Sequence, residues 1–311
     1  MATATTTTTA KPIITATKAD HSAYPPIETF LTIDGLLRSH AARPNQAPLV
    51  CYPVQTSSDF EQHTAADIDR YVDIACEFYV KHGLSPADSA LDKAPVVALL
   101  TPSSFEVVVA FFALNRLGYA VLFLSTRLTA PAYARLMGMV DCNAIIVSSK
   151  LENVARDIAL ERPGCAKLPM LRREDWLGRP VAQPVTRKGL DTTKEASKIA
   201  WVLHSSGSTG FPKPILLTNL QCLANFRKSF ALRSFCVSPL FHSHALMELG
   251  RAFYTMTAMF LGNHSLPVTS TTLLNAISAS NPEMVSAVPY VLKLLAEKPA
   301  GIEALARTKL V

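Results

Sequence analysis

Residues 96–124 read VVALLTPSSFEVVVAFFALNRLGYAVLFL. The stretch begins and ends with a short run of leucine and β-branched residues, which is the pattern of a buried strand. Between the runs lies an apolar segment long enough for a helix, which Ser103 or Ser104 can cap and Gly118 can end in the left-handed conformation. A helix between two apolar strands is the crossover unit of a parallel sheet. Because the strands lack alternating polar residues, we expect helices on both faces of that sheet.

The same alternation of helix and strand continues on both sides of this stretch. Upstream, apolar residues recur at three- and four-residue spacing over 64–82, where Thr64 can cap the helix and Gly83 can end it. Downstream, Thr129 can cap another helix, and the apolar run 144–148 predicts a third strand. The pattern predicts an α/β fold of layered, mostly parallel sheets with helices on both faces.

The second half of the chain begins with a region of weak pattern. Four prolines fall among charged residues within 161–197, which we expect to be an irregular connection at the surface. Regular structure is then predicted to return, because apolar periodicity resumes. The elements expected are strands at 199–203 and 215–218 and helices at 219–232, 245–260 and 289–297.

The hydrophobic content of the chain is high, at 49%, and the mean hydropathy is +0.21. These values fit either a membrane protein or a protein with a large core. The longest apolar stretch is broken by Glu106 and Arg116. No run approaches the roughly 18–20 uninterrupted apolar residues that a membrane span needs. We therefore expect heavily buried segments and no membrane partner.

The net charge of +6 is a mild excess that is spread along the chain. Its densest basic groups, at 172–173 and 187–188, are short and are not interleaved with aromatic residues. Nucleic-acid binding usually needs a larger basic patch. The charge pattern therefore favours a solvated basic surface and predicts no nucleic-acid partner.

The six cysteines are scattered along the sequence and form no CxxC pair. No histidine lies at the spacing of a zinc site either, so we expect no metal site. Most of the cysteines lie inside apolar stretches, where a free thiol behaves as a small buried hydrophobe. They predict buried thiols in a reducing compartment, and hence a cytoplasmic protein.

The segment most informative about function directly follows the strand predicted at 199–203. It consists of Ser205, Ser206, Gly207, Ser208, Thr209, Gly210, Phe211, Pro212 and Lys213. Its two glycines let backbone N–H groups turn towards an anion, and its hydroxyls add donors. The Lys213 ammonium can neutralise a phosphate oxygen. The segment therefore predicts a phosphate-binding loop, which we call the 205–213 loop.

Two alternatives compete with this interpretation. A Walker A loop needs G-x-x-x-x-G-K-[ST] leading into a helix. Here Gly207 and Gly210 are three apart, Lys213 lies between prolines, and the following residues predict a strand. The pattern thus disfavours a P-loop NTPase, and no helix dipole assists the loop. The other alternative is an ordinary Ser/Gly turn, against which nine contiguous residues of small, hydroxyl and lysine chemistry argue.

Residues 206–213 resemble the signature S-G-[ST]-T-G-x-P-K of the adenylate-forming superfamily. That superfamily includes acyl-CoA synthetases, luciferases and the adenylation domains of nonribosomal peptide synthetases. The segment departs from the usual signature at Pro214, where most members have glycine; we expect this proline to stiffen the loop and still permit ATP binding.

Three other segments resemble the superfamily in the expected order. They are 113–121 (ALNRLGYAV), 239–244 (PLFHSH) and 281–292, which contains Val288-Pro289. The resemblance covers roughly residues 29–311. It is closest in character to fungal enzymes similar to peptide synthetases, including adenylate-forming reductases.

The resemblance implies that the protein joins a small carboxylic acid to the AMP part of Mg²⁺-ATP, forming an acyl-adenylate and pyrophosphate. It also implies transfer of the acyl group to a thiol, either on phosphopantetheine of a carrier-protein domain or on coenzyme A. The residues implied to hold the phosphates are Ser205, Ser206, Gly207, Ser208, Thr209, Gly210 and Lys213.

The resemblance further implies that Lys213 and His242 are catalytic. His242 would lie between the acyl carboxylate and AMP, and His242 and His244 would line the acyl pocket. A histidine in an apolar stretch is more often a hydrogen-bonded core residue, so that alternative stays open for both. We expect Trp201 and Phe211 to be packing residues.

Several segments that the resemblance implies are not found in the sequence. They are a glycine-rich adenine segment, an acid that binds Mg²⁺, a ribose-binding aspartate and a C-terminal domain with a second lysine. Residues 1–20 are rich in Thr and Ala and lack an apolar periodic face, so we expect a disordered leader there. Because the segments above are missing, we expect 21–311 to be the truncated N-terminal region of an AMP-binding domain. The acid that binds Mg²⁺ would lie beyond Val311. We expect low or no turnover from this chain alone, and the alternative is a non-catalytic remnant or a nucleotide- or partner-binding module.

Overall fold

The computed structural model describes residues 30–180, 182–205 and 211–311, and the predicted leader lies outside them. The strands are β1 (Pro48–Pro53), β2 (Phe60–Thr64), β3 (Val96–Leu100), β4 (Ala120–Phe123), β5 (Ala144–Val147), β6 (Ala166–Pro169), β7 (Ile199–His204), β8 (Pro214–Thr218), β9 (Ser234–Cys236), β10 (Met259–Leu261) and β11 (Met284–Ser286). The helices are α1 (Ile33–Ala41), α2 (Ala65–Lys81), α3 (Phe105–Arg116), α4 (Ala130–Gly138), α5 (Glu152–Glu161), α6 (Thr192–Ser197), α7 (Asn219–Phe226), α8 (Ser243–Thr255), α9 (Ser270–Ser280), α10 (Pro289–Ala296) and α11 (Pro299–Ala306).

The strands form two sheets. The larger sheet has the order β6-β5-β3-β4-β7-β8, and the smaller has the order β11-β9-β10-β1-β2. Among the described strands, only β7–β8 and β1–β2 pair in antiparallel fashion. In the centre of the larger sheet, Val97 of β3 lies between Val121 of β4 and Ala144 of β5. The predicted α/β class with mostly parallel sheets is confirmed.

Helix α3 lies between the two sheets, and its sequence shows why. Ten of its twelve residues are buried, so it has no solvent face. A helix that is apolar on all sides is expected in such a position. The cluster around it, which we call the shared core, includes Leu99 and Trp201 of the larger sheet and Met259 of the smaller one. Helices α4 and α5 cover the other face of the larger sheet, and α9 and α10 cover the other face of the smaller one.

The helix ends predicted at Thr64, Gly83 and Gly118 are confirmed. At the start of α2, Thr64 Oγ1 accepts from the Asp67 N–H (3.1 Å), and the Asp67 carboxylate accepts from the Thr64 N–H (3.0 Å). Gly83 and Gly118 follow α2 and α3 with φ of +94° and +90°, a backbone conformation that strains other residues. Ser104 and Thr129 occupy the predicted positions directly before α3 and α4, but neither side chain makes a capping hydrogen bond.

The region 161–197, expected to be an irregular connection, is irregular only in part. It contains β6, which forms the edge of the larger sheet beside β5, and α6. Of the four residues of β6, only Leu168 is buried. This edge strand therefore lacks the apolar run that marks the central strands, and the hydrophobic pattern does not reveal it.

Two helices are shorter than the sequence predicts. The helix predicted at 219–232 ends at Phe226, and the one predicted at 245–260 ends at Thr255. Met256 then adopts a left-handed conformation with φ of +55°, and β10 takes up the last residues of the predicted helix. The prediction failed here because one apolar run serves first a helix and then a buried strand, which periodicity alone does not separate.

A buried ion cluster ties three helices together near the amino ends of β3 and β4. Arg116, at the end of α3, pairs with Asp34 of α1 (2.8 Å) and with Asp69 and Asp73 of α2, the latter at 2.7 Å. The Arg116 side chain is 1% exposed. Burial raises the pKa of Asp73, and the Arg116 charge opposes that shift. The cluster holds α1, α2 and α3 together, since α1 and α3 each supply one of its charges and α2 supplies two.

A second buried ion cluster closes the 161–197 region onto the same side of the sheet. Glu195 of α6 accepts from Arg187 (2.9 Å) and from Lys198 (2.6 Å). Burial acts to raise the pKa of Glu195, but the hydrogen bonds from Arg187 and Lys198 outweigh it, and the pKa is lowered. Both clusters border one cavity of about 50 Å³.

Within the described residues, we find no helix that is long and apolar enough to cross a membrane.

Candidate functional site

The 205–213 loop connects β7 to β8, so its predicted position between two strands is confirmed. Ser206, Gly207, Ser208, Thr209 and Gly210 lie outside the described residues. The two ends of the loop are described and bond to each other. The Ser205 N–H donates to the Lys213 carbonyl (3.0 Å), and the Lys213 N–H donates to Ser205 Oγ (3.1 Å). The antiparallel β7–β8 pair thus fixes where the loop leaves and rejoins the sheet.

Lys213 offers a free positive charge at this position. Its side chain is exposed and forms no ion pair with any residue that the structure describes. A charged ammonium without an internal partner can bind a ligand anion at no cost in broken protein contacts. The neighbouring Phe211 was expected to be a packing residue, but its side chain is 44% exposed and lies 4.9 Å below the Arg135 guanidinium. Trp201, by contrast, is fully buried in the shared core, as predicted.

His204, the last residue of β7, joins the loop to a neighbouring segment. Its Nε2 lies 3.1 Å from the backbone N of Ser125. Ser125 lies two residues after the end of β4. Its Nδ1 lies 3.2 Å from the Ser205 carbonyl oxygen. The pKa of His204 is lowered, chiefly by burial, and neighbouring His242 adds to the effect. A neutral imidazole therefore stands at the base of the loop.

His242 lies at the N-cap position of α8, where the chain turns from the segment after β9 into the helix. Its side chain is solvent-accessible and forms no hydrogen bond with the described residues. Its pKa is lowered by partial desolvation, with Arg127 and His244 adding to the shift. Two residues before His242, the Leu240 N–H donates to Ser103 Oγ (2.7 Å), and Ser103 follows β3. This contact brings the segment that contains His242 to the carboxyl ends of the larger sheet's strands, where β7 enters the 205–213 loop.

His244, two residues on, is held by two buried serines. Ser238 Oγ lies 3.1 Å from Nδ1, and Ser286 Oγ lies 2.7 Å from Nε2. Ser238 lies two residues after β9, and Ser286 is the last residue of β11. His244 therefore connects the start of α8 to the carboxyl ends of two strands of the smaller sheet. Both ring nitrogens are used internally. His244 is therefore hydrogen-bonded, as one alternative of the sequence analysis expects, but its side chain is exposed and it is not a core residue. The ring of His242, by contrast, has no hydrogen-bond partner among the described residues.

The structure thus brings Ser205, Lys213 and His242 to one edge, the carboxyl ends of the parallel strands. This edge is where open α/β sheets bind their ligands. The sequence analysis missed His204 and Ser125. Each lies at the carboxyl end of a predicted strand, and the two strands, β4 and β7, are neighbours in the sheet. A polar residue at the carboxyl end of a predicted parallel strand is the signal that could have identified both.

Magnesium was expected only together with ATP. Among the residues that the structure describes, no group of three or more His, Cys, Asp or Glu side chains is placed to hold a metal ion. All six cysteines are free, and five of them are buried, as the sequence predicts.

Comparison with known proteins agrees with the resemblance. The family described as AMP-binding enzyme matches residues 37–310. The adenylate-forming reductase stbB of Stachybotrys bisbyi is 28% identical over 289 residues, which cover 87% of this chain. The chain spans only 27% of the length of that curated relative.

Two solved structures share the fold. The inhibitor-bound N-terminal domain of FACL13 from Mycobacterium tuberculosis has a TM-score of 0.68 at 20% identity, covering 88% of this chain and 67% of that chain. The anthranilate CoA ligase AuaEII in complex with anthranoyl-AMP has a TM-score of 0.70 at 17% identity, covering 91% of this chain and 54% of that chain. Since the family match extends over most of its length, the chain belongs to the AMP-binding enzyme family.

Proposed function

We propose that the chain carries the phosphate-binding part of an enzyme that activates a carboxylic acid with ATP as an acyl-adenylate. The observation that carries this proposal is Lys213, an exposed ammonium without a described ion-pair partner, held at the end of a clamped loop. Family membership supports the proposal. So does the similar fold of a CoA ligase that was solved with an acyl-adenylate.

In this proposal, the 205–213 loop binds the β- and γ-phosphates of ATP, which enters as its Mg²⁺ complex. Lys213 neutralises charge that builds up on the phosphate oxygens as the carboxylate attacks the α-phosphorus and pyrophosphate leaves. Catalysis of this kind depends mainly on positioning and charge stabilisation, because the protein need not form a covalent bond.

His242 would stand beside the reacting carboxylate. Its ring is accessible, and its lowered pKa favours the neutral form, which can donate one hydrogen bond to the acid without forming an ion pair. His244 would shape the wall of the acyl pocket from behind, since its own nitrogens are already bonded to Ser238 and Ser286.

The second step would pass the acyl group to a thiol of phosphopantetheine or coenzyme A, with loss of AMP. A carrier-protein domain is the corresponding protein partner. The name of the CoA ligase among the similar structures supports coenzyme A as the acceptor.

The test is ATP–pyrophosphate exchange by the chain with a panel of aliphatic and aromatic acids. We expect Lys213→Ala to lower ATP affinity and any exchange roughly 10- to 100-fold, the loss of one charge-assisted hydrogen bond. The matched control is Lys228→Ala, which removes another exposed lysine that follows α7.

Equal ATP binding by wild type and Lys213→Ala would contradict the proposal. ATP binding that depends on Lys213, with no exchange for any acid, would instead favour a nucleotide-binding module without catalysis.

A further inference from the structure

The His204 ring contacts two segments that are far apart from each other in the sequence, one at Ser125 and one at the adjacent Ser205. On one side is the turn after β4, where Ser125 is also held by the Tyr133 hydroxyl, which donates to the Ser125 carbonyl (2.6 Å). On the other side is Ser205, whose N–H and Oγ both bond to Lys213. The imidazole is thus the link between a fixed turn and both described ends of the 205–213 loop.

The partners of the ring determine its tautomer. A backbone N–H can only donate, so the Ser125 N–H requires a lone pair on Nε2 (3.1 Å). A carbonyl can only accept, so the Ser205 oxygen requires a proton on Nδ1 (3.2 Å). Only the neutral Nδ1–H form satisfies both contacts. An imidazolium would set an N–H at Nε2 against the N–H of Ser125 and break that bond.

The surroundings of His204 favour the neutral form. Burial lowers its pKa, the Ser205 carbonyl acts in the opposite direction, and His242 at the start of α8 lowers it further. The charge of Arg127, which lies in the same turn as Ser125, lowers the pKa of His242. Among the described residues, no carboxylate contributes to the pKa of His204.

We propose that neutral His204 is a positioning residue that holds Ser205, and with it both described ends of the 205–213 loop, against the turn after β4. Nucleotide binding then weakens when His204 takes up a proton. This inference rests on the proposed function, because it assumes that the loop binds ATP.

The experiment measures ATP affinity of the wild-type chain and of two variants from about pH 5.5 to about pH 8, a range that spans the ordinary histidine pKa. His204→Leu removes both contacts, and we expect affinity roughly three- to tenfold below wild type at about pH 8, as for one or two lost hydrogen bonds. His204→Gln keeps an acceptor for the Ser125 N–H and does not titrate. We expect it to bind within about twofold of wild type at about pH 8 and to show a flatter decline as the pH falls.

The control variant is His82→Gln, because His82 is exposed and lies at the end of α2. It should reproduce the wild-type profile. A His204→Leu variant that binds ATP as wild type does at every pH would overturn the inference. An equally steep decline in His204→Gln would assign the titration to a group other than His204 and would also overturn the inference.

The tautomer can be tested without any ligand, by the ¹⁵N chemical shifts of the imidazole in wild-type protein. We expect a protonated Nδ1 and an unprotonated Nε2 at neutral pH. The opposite tautomer would refute the link even if ATP binds, whereas a wild-type chain with the expected tautomer and no ATP binding would refute the proposed function and leave the link between the two segments established.

Discussion

The two ends of the parallel strands, which we call the amino edge and the carboxyl edge, use charged and polar residues in opposite ways. At the amino edge, Arg116 and Lys198 are buried and each contacts at least one carboxylate. At the carboxyl edge, Lys213 is exposed without a described ion-pair partner, and the ring of His242 has no hydrogen-bond partner among the residues that the structure describes. The first edge has its charges satisfied by the chain itself, while the second leaves them available to a ligand.

The difference shows how residues of one chemical type divide between structure and function. Arg116 belongs to the segment 113–121, which supports the family resemblance, yet its contacts are with three carboxylates of neighbouring helices. A buried ion pair that loses one partner leaves an uncompensated charge. Removing an exposed lysine that has no described ion-pair partner should change the free energy of unfolding very little. The two edges should therefore respond differently to mutation.

The largest effect is expected at the amino edge. The substitution Arg116→Met should lower the free energy of unfolding by about 3–5 kcal/mol, because the buried Asp73 and the partly buried Asp34 and Asp69 lose their counter-charge. Urea unfolding at pH 7 measures this loss. The matched control is Arg38→Met, which removes a surface-exposed partner of the same Asp34 and should cost less than about 1 kcal/mol. Similar losses in the two variants would break the comparison.

A smaller effect is expected from acid. His40 of α1 is fully buried, and its pKa is lowered to about 4, chiefly by burial and also by Arg43. Because the unfolded chain binds this proton more tightly, the stabilisation is complete above about pH 6.5 and is lost as the pH falls towards about 4. His40→Leu should remove up to about 3 kcal/mol of that acid-induced loss.

The measurement is the free energy of unfolding of wild type and His40→Leu at about pH 7 and about pH 4.5. His82→Leu serves as the control, since His82 is exposed. An unchanged pH dependence in His40→Leu would refute the assignment. The result also distinguishes the roles of two histidines: protonation of His40 should affect stability, whereas protonation of His204 should affect nucleotide binding.

The smallest effect on stability is expected at the carboxyl edge. Lys213→Ala should change the free energy of unfolding by less than about 0.5 kcal/mol while it weakens ATP binding. Thermal unfolding without ligand, run beside the binding titration, tests this. A large loss of stability would mean that Lys213 supports the fold, and the contrast between the two edges would disappear.

The sequence predicts much of this architecture from local patterns. The apolar runs of β3, β4, β5 and β7 mark central strands, and the Thr64 capping box marks the start of α2. What it does not reveal depends on contacts between distant segments. Strand β6 has one buried residue in four, and its pairing with β5 comes from the sheet and not from its own sequence.

The same reason explains which parts of the site were found. The 205–213 loop is contiguous, so its chemistry is visible in one stretch of sequence. The link from His204 to Ser125 spans strands that become neighbours only when β4 pairs with β7. Likewise, nothing in the sequence near His244 shows that Ser238 and Ser286 would occupy both of its nitrogens.

The position of α3 has a consequence for how the molecule unfolds. Because this helix is in contact with both sheets through the shared core, neither sheet can separate without exposing apolar surface that belongs to the other. The described chain should therefore lose its structure in one cooperative transition. The amide hydrogens of β3 and β10, in different sheets, should exchange with solvent at similar rates, limited by the same global opening.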